Sequence, residues 1–130
     1  MALTSGIIKR CLEECEKSTY KVRIGAVIFS SKRIISSGHN EIRSSSIPNK
    51  HKTYYNSIHA EQAALLGTDW SKLKGCSILV LKCSKTTKQL SNASPCLMCR
   101  KVLEHVGIKD IYCSNECGEI VKIKLSNQQE

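Results

Sequence analysis

The sequence predicts a three-layer α/β domain, with one mixed sheet of five strands, helices on its faces and an antiparallel hairpin at the C-terminal end. Three observations carry this expectation. Cys76 to Leu81 is a nearly continuous apolar run, the pattern of a central strand covered on both faces. Stretches with helical period or helix start and stop signals lie on both sides of it. Ser114 to Gly118, between the last two strand-like runs, is too short to hold a crossover helix, so those runs should pair antiparallel.

The elements follow in order. Leu3 to Thr19 reads as an amphipathic helix, because Ile7, Ile8, Cys11, Leu12 and Cys15 form one apolar stripe, with Thr4 or Ser5 as cap. Cys11 and Cys15 lie one turn apart within that stripe and read as core thiols rather than metal ligands. Arg23 to Phe29 is rich in β-branched residues, and a short polar turn leads to Ile34–Ser37, so the two form a hairpin. Gly25 and Gly38 mark either close backbone approaches or a bulge and a strand end. Glu41 to Ile58 has no clear period and reads as a long loop. His59 to Leu66 begins a helix capped by Asn56 or Ser57 and stopped by Gly67. Lys82 to Ala93 is polar and reads as a connection. Ser94 is a suitable N-cap and Pro95 a suitable first helical residue, so a helix should run from Pro95 to about His105, ended by Gly107. Ile108 to Cys113 and Ile120 to Leu125 supply the final hairpin.

With 130 residues the chain is sized for a single domain, residues 1–130. Hydrophobic residues at 41% and charged residues at 24% match a soluble globular protein. No apolar run approaches the roughly 18 residues needed to cross a bilayer. Residues 1–16 place Lys9, Arg10 and three acids among the apolar ones, so no signal-peptide core is expected. The expectation is a soluble, cytoplasmic chain without a membrane partner. In that setting the eight cysteines read as metal ligands and buried thiols rather than disulfides. The net charge of +9 either attracts anionic partners, nucleotides or nucleic acid, or reflects a basic solvated surface.

Two short stretches carry the chemistry, His59-Ala60-Glu61 and Pro95-Cys96-Leu97-Met98-Cys99. Zinc takes nitrogen and sulfur ligands in a tetrahedron, and a catalytic site keeps one position open for water. His59, Cys96 and Cys99 make three ligands, leaving that position, while Glu61 stands close enough to handle the water's protons. Cys96 and Cys99 would share the face of a helix's first turn, where free N–H groups and the macrodipole favour thiolates. His59 and Glu61 serve one site only near a helix start, since deeper in a helix they would diverge. Two helix starts facing each other satisfy all of this. The competing arrangement is a closed zinc site from Cys96, Cys99, Cys113 and Cys117, which leaves His59 and Glu61 unexplained. Cys76 and Cys83 read as core or rim thiols.

The H-x-E and P-C-x-x-C pair is the signature of zinc deaminases, and over nearly its whole length the chain resembles the cytidine/deoxycytidylate deaminase superfamily. Gly25-Ala26-Val27-Ile28 and Ile34 to Asn40 look like that family's opening hairpin. The resemblance implies one zinc ion per chain on His59, Cys96 and Cys99, with Glu61 as the proton carrier. It further implies a sugar contact from Asn40 and a base lying near Ala60, Ser94 and Pro95. The implied reaction is hydrolytic deamination of a cytosine-type base in a small nucleoside or nucleotide. Lys50 and Lys52 could hold a phosphate, and Tyr54 and Tyr55 stack a base. The alternatives are RNA or single-stranded DNA as substrate, another base such as adenine or guanine, and a non-catalytic zinc module. Oligomers are common in the family, so a homo-oligomer is implied. Thirty-three residues separate Glu61 from Pro95, longer than in many relatives, with Lys82 to Ala93 as the inserted part. His as first ligand is similar to deoxycytidylate and nucleic-acid deaminases, whereas the short C-terminal hairpin is more like free-cytidine and blasticidin deaminases. Ser94 stands where tRNA adenosine deaminases carry Glu, which argues against adenosine.

Overall fold

The computed structural model describes residues 3–18, 22–42, 57–84, 89–95 and 97–124. Helix α1 (Ser5–Lys17) is followed by β1 (Val22–Ser30), β2 (Arg33–His39), β3 (Glu41–Ile42), β4 (Ser57–Ile58) and α2 (Ala60–Leu66). A 3-10 turn at Trp70–Lys72 leads to β5 (Ser77–Ser84), β6 (Leu90–Ser91), α3 (Leu97–His105), β7 (Asp110–Ser114) and β8 (Ile120–Lys124). The main sheet has the order β2-β1-β5-β7-β8, with β6 on β5 as a sixth, two-residue strand. β5 and β7 are parallel, and every other pair in the sheet is antiparallel. The expected mixed sheet and terminal hairpin are both present.

The period of two along the strands builds the layers. Ala26, Ile28, Ile78, Val80, Ile111 and Cys113 face one way and pack with Ala60, Ala64, Leu65 and Leu103 of α2 and α3. Val27, Phe29, Leu79, Leu81 and Tyr112 face the other way and pack against Ile7, Cys11 and Cys15 of α1. β5 is buried on both faces along Ser77–Leu81, as its unbroken apolar run required.

Thr4, not Ser5, caps α1, its hydroxyl accepting from Ile7 N–H at 3.2 Å. The thiols of Cys11 and Cys15 donate to strand carbonyls, Gly25 O at 3.3 Å and Leu81 O at 3.4 Å. Burial, reinforced by Cys83, pushes the Cys15 thiol up to about 12, so it stays a protonated core group. Among the described residues no two cysteines form a disulfide.

Both glycines of the opening hairpin mark close approaches. A Cβ on Gly25 would stand 2.5 Å from Cys11 O on α1, and one on Gly38 would stand 2.5 Å from Ala64 N on α2. The two helices therefore rest directly on the hairpin backbone, one on each face.

Several expectations are corrected. The connection Lys82 to Ala93 contains the last three residues of β5 and all of β6. It pairs because Ser84 N–H reaches Gln89 O, and Ser114 Oγ bonds both Ser91 O and Lys82 N–H. The long loop after Asn40 begins and ends in a ladder, Glu41 opposite Ile58 and Ile42 opposite Ser57. Ser57 is thus in a strand and does not cap α2, while Asn56 lies outside the described residues. Gly67 ends α2 with φ −85°, so its smallness serves packing against Ser36 rather than a left-handed turn. Gly107, at φ +97°, supplies the left-handed turn that ends α3. Pro95 precedes α3 as it is described, from Leu97.

One buried charge ties the first and second layers. Glu14 of α1 is 4% exposed and accepts from Ser37 Oγ at 2.7 Å and His39 Nδ1 at 3.0 Å on β2, with Lys17 Nζ at 3.2 Å. Burial alone would raise its carboxyl pKa, but the bonds from His39, Ser37 and Lys17 outweigh that and lower it. Its contribution to stability is therefore full above the unfolded carboxylate pKa of about 4.3 and is lost as pH falls through the lower folded value. We expect Glu14→Gln to cost about 1–3 kcal/mol at pH 7 by denaturant unfolding. The gap to wild type should close as the pH drops below about 4. A gap that persists in acid would show that shape, not charge, holds this contact.

Candidate active site

Helix α2 packs on β2 through Gly38 and Ser36, whose hydroxyl donates to Ala64 O at 2.7 Å. Because α2 runs opposite to β2, its start is directed toward the His39 end of the hairpin. His59 occupies the N-cap with extended backbone (φ −76°, ψ 154°), and its N–H donates to Gln62 Oε1 at 2.9 Å. That bond fixes the turn carrying His59 and Glu61, so the two side chains leave the helix before its twist separates them.

Helix α3 lies beside α2 on the same face of the sheet and brings Cys99 to the same place. Cys99 Sγ is 3.4 Å from His59 Nδ1. His59, Glu61 and Cys99 offer ligand atoms all within 4.8 Å of one another, and among the described residues they are the only such group. Cys113 and Cys117 do not join them. Cys113 is buried at 2% in the core and Cys117 is exposed in the hairpin turn. The closed four-cysteine arrangement therefore finds no support, and Cys99 is grouped with the His and the acid instead.

The donor set suits zinc. A nitrogen and a sulfur sharing a tetrahedral zinc at ordinary bond lengths stand about 3.6 Å apart, against the 3.4 Å between His59 and Cys99. Glu61 is 6% exposed, and burial pushes its carboxyl up, an effect that its own N–H and neighbouring His59 partly offset. A cavity of about 60 Å³ lies against Glu61 and Cys99, lined also by Gln62, Leu65 and Val102, with room for water.

The remaining expected site residues fall into three groups. Ala60 is fully buried beside His59, and Pro95 is buried ahead of α3. Ser94 is exposed, and its N–H donates to Asn92 Oδ1 at 2.9 Å, an Asx turn rather than a described helix cap. The preceding Ala93 N–H donates to Ser114 O at 2.9 Å, which pins this segment to the end of β7. Asn40 is buried, and its Oδ1 accepts from Ile24 N–H at 3.0 Å, which fixes the side chain to β1. Cys96, Lys50, Lys52, Tyr54 and Tyr55 lie outside the described residues. Gln62, Leu65 and Val102 were not anticipated. Gln62 was legible as the third helical residue after His59, the reciprocal capping position, whereas Leu65 and Val102 look like any core residue.

An α/β/α sandwich thus brings a His, a Cys and a buried Glu together at two neighbouring helices, a donor set that could hold a metal ion. Comparison with known proteins makes this specific. Residues 2–115 match the family described as the cytidine and deoxycytidylate deaminase zinc-binding region, and the chain belongs to that family. Among solved structures, the fold is similar to that of a cytidine deaminase from Burkholderia pseudomallei. The TM-score is 0.67 at 19% identity, covering 94% of this chain and 93% of that one. It is also similar to a dCMP deaminase from the cyanophage S-TIM5 in apo form. There the TM-score is 0.60 at 24% identity, covering 85% and 81% of the respective chains. The same phage enzyme in complex with dCMP and dUMP matches with a TM-score of 0.56 at 22% identity, covering 88% and 85%. No curated protein matches the sequence. No helix among the described residues is long and apolar enough to cross a membrane.

Proposed function

We infer that the protein is a zinc-dependent deaminase that hydrolyses a cytosine-type base in a small nucleoside or nucleotide. The observation that carries this reading is the convergence of His59, Glu61 and Cys99 from two helices. His59 and Cys99, together with Cys96, are the residues that would hold one zinc ion per chain. When bound, zinc lowers the pKa of a water toward neutrality and so supplies the nucleophile. Glu61 takes the proton given up by that water and passes it to the ring nitrogen of the base. It then takes up the remaining proton, from the hydroxyl newly attached to the base carbon, and delivers it to the departing amine, so that the C–N bond breaks, the C=O bond forms and ammonia leaves. Burial of Glu61 keeps bulk water from competing for that proton. Ala60, Ser94 and Pro95 are assigned to the base and Asn40 to the sugar, with Lys50 and Lys52 for a phosphate and Tyr54 and Tyr55 for stacking. The phage relative in complex with dCMP and dUMP supports a nucleotide as the ligand.

The test is a panel of cytidine, deoxycytidine, their monophosphates, blasticidin, guanine and short RNA, scored for ammonia release by the zinc-loaded protein. Release from the cytosine nucleosides or nucleotides is expected. Release from guanine or RNA alone, or from none of them, would overturn the assignment. Cys99→Ser should weaken zinc retention against a chelator by roughly 100-fold or more while leaving the fold intact, since the substitution removes a thiolate ligand. Zinc held as firmly as in wild type would exclude Cys99 from the ligand set.

A further inference from the structure

The opposite end of the sheet carries a second concave surface. β5 and β7 start there side by side with Ser77 next to Asp110, and β1 turns into β2 there, where Phe29 pairs with Ser77. The end of α3 reaches the same place, since Gly75 N–H donates to Gly107 O at 2.8 Å. Both α2 and α3 begin at the other end, so the body of the sheet separates this surface from His59, Glu61 and Cys99.

Two adjoining basins open there and share Ser30, Ser31 and Lys32. The larger, of about 950 Å³, is bordered by Arg33, Lys72 and Lys74. The smaller, of about 400 Å³, is bordered by Lys109 and Asp110. Lys32, Arg33, Lys72, Lys74 and Lys109 are all exposed. Among the described residues none of them forms an ion pair, because the ion pairs there all centre on Glu14. Five cations around one concavity, against Asp69 beside Lys72 and Asp110 in the smaller basin, leave an excess of positive charge suited to an extended polyanion.

Two further observations narrow the ligand. Asp110 is 6% exposed, and its Oδ1 has no hydrogen-bond partner among the described residues. A buried acceptor left without a donor is costly, so a ligand that brings a donor gains there. Trp70 sits on the same 3-10 turn as Lys72 and keeps 47% of its surface open, while its Nε1–H is fixed to Leu65 O at 3.0 Å. Cations for phosphates and a carboxylate for an exocyclic amino group line the basins. The exposed Trp70 ring stands on the adjoining turn outside that lining, where a base of a strand leaving the basin could stack. Together these groups match unpaired nucleotides.

We propose that this end of the sheet binds single-stranded nucleic acid, independently of the deaminase site. A mononucleotide offers too few phosphates to engage cations spread over both basins, whereas a strand spans them.

The experiment is fluorescence anisotropy of the full chain with a labelled 12-residue oligo-dC between 50 and 300 mM KCl. Binding should weaken steeply with salt. The variant Lys32→Gln/Lys74→Gln/Lys109→Gln should bind at least tenfold more weakly, with a log–log salt slope shallower by about 2, or about 0.7 per cation removed. Trp70 is the only tryptophan of the chain, so its emission should be quenched on binding. Oligo-dT, which lacks an exocyclic amino group, should bind more weakly than oligo-dC, and equal binding would overturn the role given to Asp110. Glu61→Gln should bind the strand as wild type does, which keeps this outcome distinct from any failure of the catalytic reading. Undiminished binding by the triple variant, loss of binding in Glu61→Gln, or displacement of the strand by an equal concentration of dCMP would each overturn the proposal.

Discussion

Glu61→Gln is expected to retain zinc at the wild-type level and to lose roughly 10³-fold or more of its turnover. The amide has almost the same shape as the carboxylate and can occupy the same buried position between α2 and α3. It cannot accept a proton at neutral pH, and the proposed reaction needs that group twice, once for the attacking water and once for the leaving amine. Metal analysis and ammonia release on the same preparation separate the two consequences. Zinc content that falls together with activity would mean that Glu61 is a ligand rather than a proton carrier. This outcome is a real alternative in the geometry, because the carboxylate lies within 4.8 Å of both His59 and Cys99. Turnover that survives would remove Glu61 from the chemistry altogether.

The second large effect comes from a residue with no chemistry of its own. Gly38→Ala would place a methyl group 2.5 Å from Ala64 N, 2.6 Å from Ala63 Cβ and 2.7 Å from Ala63 C. Two of those atoms belong to the backbone of α2, so no side-chain rotation relieves the clash and the helix must move. Overpacking of this kind costs about 1–3 kcal/mol. A shift of α2 by about 1 Å also carries His59 and Glu61 with it, and misplacement on that scale can cost about 10²-fold in rate. Gly25→Ala is the control. Its methyl group would meet Cys11 O at 2.5 Å and Cys15 N at 2.8 Å on α1, at the other face of the sheet. Both variants should lose comparable stability in urea, but only Gly38→Ala should lose kcat/KM under conditions where the protein is fully folded. Equal losses of activity would show that the hairpin, not the seat of α2, governs the site.

The same contrast shows how much of the site could be read in advance. His59, Glu61 and Cys99 were marked by residue type and spacing, since metal ligands must be particular residues and helix starts have recognisable neighbours. The dependence of those residues on Gly38 was visible only as one of two readings of a glycine near a strand end. Choosing between them required knowing which helix crosses that strand. Gln62 is intermediate: its capping position is local and readable, but the consequence for His59 depends on His59 being the N-cap itself. The short strands β3, β4 and β6 were missed for a different reason. Two residues are too few to show a period, and Leu90–Ser91 is held to β5 by the bond from Ser84 N–H to Gln89 O and by the Ser114 hydroxyl from β7, which ties Ser91 to Lys82. The basins at the far end of the sheet were not legible at all, since Lys32, Lys72 and Lys109 come from three separate turns.

The sequence by itself determined the layered α/β fold, the central place of the strand through Leu79 and the identity of the residues that meet in the candidate active site. These are properties of local period and residue chemistry, which a chain carries wherever it is placed. Only the tertiary structure decided that Gly38 seats the helix carrying His59 and Glu61, and that cations scattered along the chain gather on one surface. Those outcomes depend on which elements the sheet sets side by side, and contacts between residues far apart in the chain leave no signature in the residues between them.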